Sequence, residues 1–189
     1  MGSEYFSVKR YILSGAPGSG KTSVIKEMEQ YGHIVVHESA TDIIAEAQAK
    51  GFEKPWEESG FVGDIAIMQR ERQVFTRGAL QFFDRSPFCT YALGNYLAQT
   101  KDTEFQPPKT LTEEIDRCLA MRIYQPKVFF FENLGFIENT AARKISYADA
   151  LIFEQIHVST YQTFGFELIL VPAAPVAERQ KYILDRISW

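Results

Sequence analysis

The feature that most constrains the fold is a glycine-rich stretch near the start of the sequence. Residues 12–22 read ILSGAPGSGKT, an apolar segment followed by three glycines, Lys21 and Thr22. From Gly15 onward the stretch fits the pattern G-x-x-x-x-G-K-[ST], in which backbone N–H groups surround a phosphate without Cβ atoms in the way. An apolar strand pattern precedes the motif, and the helical pattern KTSVIKEMEQYG follows it. The stretch therefore predicts a phosphate-binding loop, the P-loop or Walker A motif.

The residues of this loop have distinct predicted tasks. We expect the Lys21 ammonium at the β- and γ-phosphates and the Thr22 hydroxyl on Mg²⁺. The positive end of the helix that begins at Lys21 adds to the attraction. The cofactors predicted from the motif are therefore ATP (or GTP) and Mg²⁺. The residues expected to bind them are Gly15, Ala16, Pro17, Gly18, Ser19, Gly20, Lys21 and Thr22.

Apolar runs of strand length alternate with segments of helical period along the chain. This alternation is typical of a parallel sheet with crossover helices, so the sequence predicts the α/β class. The predicted strands are 10–14, 33–37, 80–83, 127–131 and 167–171. The predicted helices are 21–30, 41–50, 62–77, 87–98, 112–123, 146–163 and 175–188. Strands such as KVFFF show no alternation, which indicates that helices cover both faces of the sheet.

Two segments fall outside this pattern. Residues 99–111 are polar and contain Pro107 and Pro108, which predicts a loop. Residues 132–145 follow a predicted strand and carry Arg143 and Lys144 ahead of a helix. Open α/β folds bind ligands at the carboxyl edge of the sheet, where this segment would lie. We therefore predict that residues 132–145 form a lid.

The second predicted strand ends in Glu38, within HIVVHESA. In a parallel sheet beside the P-loop strand, a carboxylate at this position can accept the proton of an attacking hydroxyl. Glu38 also precedes a predicted helix, together with Ser39 and Asp42, which is typical of helix capping. The position of Glu38 therefore fits a general base and a helix cap about equally well.

The third predicted strand ends in an acidic residue that a basic one follows, in LQFFDRSPF. Asp84 stands where a Walker B carboxylate holds Mg²⁺. A motor ATPase typically has Glu after that Asp, to polarise the attacking water, but here the next residue is Arg85. A guanidinium is suited to binding an anionic or hydroxyl-bearing substrate. A purely structural Asp84–Arg85 ion pair is the alternative.

Composition limits which binding partners and which cellular location we expect for the protein. A net charge of −4 gives no reason to expect nucleic acid or an anionic membrane as a partner. No apolar run reaches the roughly 18 residues of a membrane span, and the first residues lack the pattern of a signal peptide.

The two cysteines, Cys89 and Cys118, are expected to be reduced and buried. His33, His37 and His157 are too scattered for a metal site. We expect a cytoplasmic protein, either a monomer or a homodimer.

The motifs GAPGSGKT, the strand-end HE and FFDRS follow one another in this order, and the chain thereby resembles P-loop nucleoside and nucleotide kinases. It is similar to deoxynucleoside kinases and to nicotinamide riboside kinases. Over nearly its full length, through HESATDIIAEA, FFDRSPFCTYALGNYLA and TFGFELILVPAAPVAERQKYI, it resembles the small predicted ATPases with an AAA-type label. This resemblance implies a single kinase-like domain over residues 1–189. It implies a three-layer P-loop NTPase fold, with a five-stranded parallel sheet of order 2-3-1-4-5, helices on both faces and a lid.

The resemblance also implies roles for individual residues. Glu38 resembles the general base of deoxynucleoside kinases, and Asp84 with Arg85 resembles their acidic-Arg-Ser motif, which contacts Mg²⁺ and substrate. Arg143 falls where a kinase lid supplies a cation to the transferred phosphoryl group. Residues 172–175 lie where such kinases often hold the nucleotide base. Gln69 loosely matches a base-recognising glutamine, and a solvent-facing helix position is the alternative.

The leading functional hypothesis is a P-loop phosphotransferase, a kinase for a nucleoside- or nucleotide-like small molecule. Its expected catalytic residues are Lys21, Glu38, Asp84, Arg85 and Arg143, and its expected metal ligands are Thr22 and Asp84. A regulatory ATP- or GTP-binding protein that acts through a protein partner is the alternative, and a remodelling ATPase is a third. Ser39 follows Glu38 where deoxynucleoside kinases have Pro, so the resemblance does not identify the acceptor.

Overall fold

Five parallel strands form the centre of the computed structural model, which describes residues 8–135 and 146–187. The order across the sheet is β2-β3-β1-β4-β5, which confirms the order implied by the resemblance. The strands are β1 (Lys9–Gly15), β2 (Ile34–Val36), β3 (Leu80–Asp84), β4 (Lys127–Phe131) and β5 (Glu167–Val171). The strand that leads into the P-loop is therefore central, and the strands with acidic ends lie on one side of it.

Helices connect these strands and cover the sheet. They are α1 (Lys21–Gln30), α2 (Ser39–Ala49), α3 (Phe61–Phe75), α4 (Pro87–Gln99), α5 (Lys109–Ala120), α6 (Tyr147–Thr163) and α7 (Val176–Leu184), with a 3₁₀ turn at Pro55–Glu57. No helix in the described part of the chain is both long and apolar enough to cross a bilayer.

The two faces of the sheet bury separate apolar cores. On one face, Ile12, Phe83 and Phe130 pack among residues of α3, α4, α5 and α6. On the other face, Leu13 and Phe129 pack among residues of α1 and α7. Successive strand residues point to opposite faces, and both faces are covered, so a strand such as β4 is apolar at nearly every position.

The loop prediction for residues 99–111 is wrong at both ends. Helix α4 includes Gln99, and α5 begins at Lys109, because Pro108 takes an extended conformation (φ −64°, ψ 148°) at the helix N-cap. Proline lacks an N–H but is compatible with a helix start, so Pro108 marks the beginning of α5. Leu111 is fully buried and anchors the first turn of that helix. The loop is confined to residues 100–108.

The predicted lid is described only in part. Residues 132–135 continue from β4 as a loop, in which the Glu132 N–H donates to the Val171 carbonyl oxygen at 3.1 Å. Residues 136–145, with Arg143 and Lys144, lie outside the described residues.

Phe88 provides a test of the larger core. Its side chain is fully buried, and its ring lies 4.7 Å from that of Phe166 and 5.2 Å from that of Phe164, measured between centroids. We expect Phe88→Ala to lower the free energy of unfolding by about 3–5 kcal/mol in urea titration, because the truncation leaves a cavity. Phe75→Ala is the matched control, since Phe75 is 72% exposed and its truncation should change stability little. Equal losses in the two variants would contradict this description of the core.

Candidate active site

The P-loop has the backbone that an anion cradle requires. Gly15, Gly18 and Gly20 have φ values of 153°, 83° and 74°, which favour glycine. A Cβ atom at Gly15 would also lie 2.8 Å from the carbonyl oxygen of Phe131, so the end of β4 leaves no room for a side chain there. The strand–loop–helix arrangement predicted from the motif is present, with α1 beginning at Lys21.

Lys21 and Asp84 form a buried ion pair beneath the loop. The Lys21 Nζ atom donates to Asp84 Oδ1, and the two side chains are only 6% and 8% exposed. They meet because β1 and β3 are neighbours, with Leu13 in register with Asp84. Thr22, in the first turn of α1, is exposed. The structure thus brings together the lysine and the acidic strand end that the sequence indicated, with the exposed Thr22 next to Lys21 in the chain.

Arg85 is held in an unusual backbone conformation beside this pair. Its φ is 73°, which costs energy for a side chain with a Cβ, and its N–H donates to the Leu13 carbonyl oxygen at 3.0 Å. Arg85 Nε lies 2.6 Å from Glu38 Oε1, an ion pair in which the N–H is not aligned for a hydrogen bond. Nη1 of the same guanidinium is buried and makes no hydrogen bond to the described residues.

Burial and charge act in opposite directions on Arg85. Burial is the largest influence and lowers the pKa of the guanidinium, but the Glu38 carboxylate, with smaller contributions from Cys89 and Asp84, outweighs it, so the net pKa is raised. Arg85 therefore stays charged, and its guanidinium carbon lies 5.9 Å from the centre of the Phe153 ring.

Glu38 occupies the N-cap position of α2, but its side chain makes no capping hydrogen bond. Its Oε1 atom faces Arg85, and its Oε2 atom accepts a long hydrogen bond from Thr41 Oγ1 at 3.3 Å. Arg72 organises the backbone here instead, because Nη1 donates to the carbonyl oxygens of His37 and Glu38 at 2.9 and 3.1 Å. The side-chain capping alternative for Glu38 is therefore not what the structure shows.

A chain of buried polar side chains lies behind the loop. The Tyr161 hydroxyl is 2.7 Å from Cys89 Sγ and 3.1 Å from Ser86 Oγ, and Cys89 Sγ is 3.3 Å from Ser14 Oγ. These contacts join helices α4 and α6 to the residues that precede the P-loop and follow Arg85. No pattern in the sequence indicates these contacts, because each link spans more than 70 positions.

Gln69 is not a solvent-facing helix residue, contrary to the alternative favoured by its helical position. It is 9% exposed, and its Oε1 atom accepts a hydrogen bond from Thr90 Oγ1 at 2.9 Å. It is buried because α3 packs against α4 through the face that carries this residue.

Arg179 is a further residue at the site that sequence analysis missed. It lies on α7, is 3% exposed, and donates through Nη1 to the carbonyl oxygen of Ser19 in the P-loop at 2.7 Å. The predicted site residues extend only to 172–175, the loop before α7, and no motif in the following helix indicates Arg179.

This fold, with its P-loop and its acidic-Arg-Ser strand end, is that of P-loop nucleoside and nucleotide kinases. The structure is similar to deoxyadenosine kinase from M. mycoides, with a TM-score of 0.61, 13% identity, and coverage of 94% of this chain and 97% of that chain. It is also similar to thymidylate kinase from Candida albicans, with a TM-score of 0.55, 10% identity, and coverage of 95% and 90%. That deoxyadenosine kinase structure holds dCMP and dCDP.

The particular family follows from the sequence itself. The model of an AAA domain family matches residues 10–179, and the chain belongs to that family. A search of curated proteins finds no match. These findings confirm the resemblance to small kinase-like P-loop proteins with an AAA-type label.

The buried residue His157, on α6, is expected to make the free energy of unfolding depend on pH. It is fully buried, its Nδ1–H donates to the Phe153 carbonyl oxygen at 2.8 Å, and its ring lies 4.1 Å from that of Phe153. Burial, with the charge of Arg85 as the next contribution, lowers the pKa of His157 to about 3. An unfolded histidine titrates near pH 6.5, so the unfolded chain binds more protons between these two values.

We therefore expect the free energy of unfolding to fall with decreasing pH below about 6.5, by up to about 1.4 kcal/mol per pH unit from this group. His157→Asn keeps an N–H donor and does not titrate, so it should flatten the dependence between pH 6 and pH 4 in urea titrations. His37→Asn, at a surface histidine with a side chain 58% exposed, is the control. An unchanged slope in His157→Asn would contradict this assignment.

Proposed function

We propose that the protein is an ATP- and Mg²⁺-dependent phosphotransferase whose acceptor is a nucleoside- or nucleotide-like small molecule. The observation that carries the proposal is the pairing of Glu38 with Arg85 at the carboxyl edge of the sheet, next to Lys21 and Asp84. A motor ATPase typically has a glutamate after the strand-end aspartate to polarise water, and here Arg85 occupies that position. A carboxylate and a guanidinium side by side suit a hydroxyl-bearing acceptor better.

The residues present fit the proposed cofactors. Glycines line the P-loop, and the hydroxyl of the exposed residue Thr22 and the carboxylate of Asp84 are the groups that would hold Mg²⁺. In the described ranges, no three or more His, Cys, Asp or Glu side chains are grouped to hold a metal. Mg²⁺ usually takes only one or two carboxylates, together with waters and substrate phosphates. When bound, it would neutralise charge on the phosphates.

The ion pairs of the site suggest how it would respond to a nucleotide. Lys21 would exchange its contact with Asp84 for phosphate oxygens, which frees the carboxylate as a metal ligand. Glu38, whose Oε1 atom faces Arg85, would accept the proton of the acceptor hydroxyl. The buried Nη1–H of Arg85 would donate to the acceptor or to the transferred group.

The lid and the base site of the proposal come from the resemblance. Arg143, on the lid of residues 132–145, would supply a further cation, and closure of the lid would exclude water. Residues 172–175 would hold the base. As its composition indicates, the protein would act in the cytoplasm as a monomer or homodimer, without nucleic acid or membrane as partner, and it would be a single domain.

The direct test is a screen of nucleosides, nucleotides and vitamins for phosphorylation by ATP or GTP, with Mg²⁺ and with a chelator. We expect metal-dependent transfer to one acceptor class. Tight nucleotide binding without transfer to any acceptor would contradict the kinase proposal and favour the regulatory alternative, a nucleotide-binding protein that acts through a protein partner.

Lys21→Ala tests the phosphate site. We expect it to abolish detectable transfer and weaken ATP binding strongly, measured by calorimetry. It also leaves Asp84 buried without its cation, so the melting temperature should fall. The double variant Lys21→Ala/Asp84→Asn separates the two effects, because it should regain thermal stability without regaining ATP binding. Recovery of ATP binding in the double variant would contradict the role of Lys21.

Glu38→Gln tests the general base. We expect transfer to fall by about 10²–10⁴-fold while the Kd for ATP stays the same. Asp42→Asn is the matched control, since Asp42 is an acidic residue in the first turn of α2 that pairs with Arg72. If both variants lower thermal stability equally and neither affects transfer, Glu38 is a structural residue.

A further inference from the structure

Arg179 connects the last described helix to the first loop of the fold. Its Nη1–H donates to the Ser19 carbonyl oxygen at 2.7 Å, and its guanidinium carbon lies 4.7 Å above the centre of the Phe131 ring. Phe131 ends β4, so the guanidinium is held between the sheet and the P-loop. This placement fixes the loop from the side of α7.

Arg179 also lies close to the backbone at residue 20. A Cβ atom at Gly20 would lie 2.9 Å from Arg179 Nη1, so a side chain there would displace the guanidinium. The φ of Gly20, 74°, by itself favours glycine. Arg179 is therefore fitted to the backbone of the P-loop itself.

The hydrogen bond from Arg179 is made to the peptide group between Ser19 and Gly20. The carbonyl oxygen of Ser19 accepts from Arg179, and the N–H of the same peptide belongs to Gly20, one of the backbone donors of the phosphate cradle. A charged donor at the carbonyl end fixes the orientation of the peptide. It also polarises the peptide, which makes the N–H a stronger donor.

Burying the Arg179 guanidinium in this position costs free energy, and a functional role would explain why it is there. The side chain is 3% exposed, and its Nε and Nη2 atoms are buried without a hydrogen-bond partner among the described residues. Burial lowers the pKa of Arg179, and the carboxylate of Glu132 opposes this effect. A buried guanidinium with unmet donors destabilises a fold, so contact stability alone is a poor explanation for an arginine here.

We propose that Arg179 is a positioning residue of the phosphate site, which holds the Ser19–Gly20 peptide with its N–H toward the polyphosphate. The proposal rests on the proposed binding of a nucleoside triphosphate. It concerns the triphosphate part of that ligand and makes no demand on the acceptor.

The test compares Arg179→Met, Arg179→Lys and a control, Lys181→Met. Met retains the aliphatic stem beside Phe131, and Lys retains a charged donor. Lys181 lies on the same helix, where its side chain is 74% exposed and pairs with Asp185. Calorimetry gives the Kd for ATP and for inorganic tripolyphosphate, each with Mg²⁺, and the melting temperature of each protein is measured alongside.

We expect Arg179→Met to weaken ATP and tripolyphosphate binding by the same factor, about 10-fold or more, because a charge-assisted hydrogen bond is lost. Arg179→Lys should recover a substantial part of the affinity, and Lys181→Met should bind like the unaltered protein. Recovery by lysine also keeps the test decisive if the methionine variant folds poorly.

Three results would overturn the proposal. A lower melting temperature with unchanged Kd values would make Arg179 a structural residue only. A loss for ATP without a loss for tripolyphosphate would place Arg179 at the base or ribose. If the unaltered protein binds neither ligand, the proposed function fails and this inference fails with it. Normal binding without phosphate transfer would refute only the kinase proposal and leave the role of Arg179 supported.

Discussion

The buried ion pair between Lys21 and Asp84 is the interaction on which the site depends. It joins the first turn of α1 to the end of β3, and so connects the P-loop to the strand that supplies the acidic-Arg-Ser segment. Removing two charges from water costs free energy that their attraction offsets only when the geometry is good. Loss of either partner leaves the other charge buried and unpaired, which is strongly destabilising.

Other cations at the carboxyl edge of the sheet also lie near carboxylates. Arg85 pairs with Glu38, and the Glu132 carboxylate favours the charged form of Arg179. Lys21 and Arg85 are therefore each paired with a carboxylate, that of Asp84 and that of Glu38. A polyphosphate would have to compete with these carboxylates, and the carboxylates released would then be available for a metal ion or a proton.

Short sequence patterns were sufficient to predict the P-loop and the buried parallel strands. GAPGSGKT predicted the loop, and unbroken apolar runs such as KVFFF predicted buried parallel strands, because each depends on residues that are close in sequence. The start of α5 was missed because Pro108 was interpreted as part of a loop rather than as a helix cap. The solvent-facing alternative for Gln69 is wrong, because helical period alone does not show which face another helix covers.

Contacts between distant residues could not be predicted in this way. Glu38 reaches Arg85, Cys89 reaches Tyr161 and Ser19 reaches Arg179 through folding of the whole sheet. Each of these pairs needs a known register between elements, which a single sequence does not contain. The conformation of the loop was therefore predictable, while the distant residues that contact it were not.

The contact between Ser19 and Arg179 spans 160 positions and has a consequence for biosynthesis. Translation proceeds from the N-terminus, so the P-loop leaves the ribosome long before helix α7 does. The central strand β1 also waits for β3 and β4, its neighbours in the sheet. A nascent chain therefore carries the complete glycine-rich motif without the arginine that contacts it, until synthesis has passed residue 179.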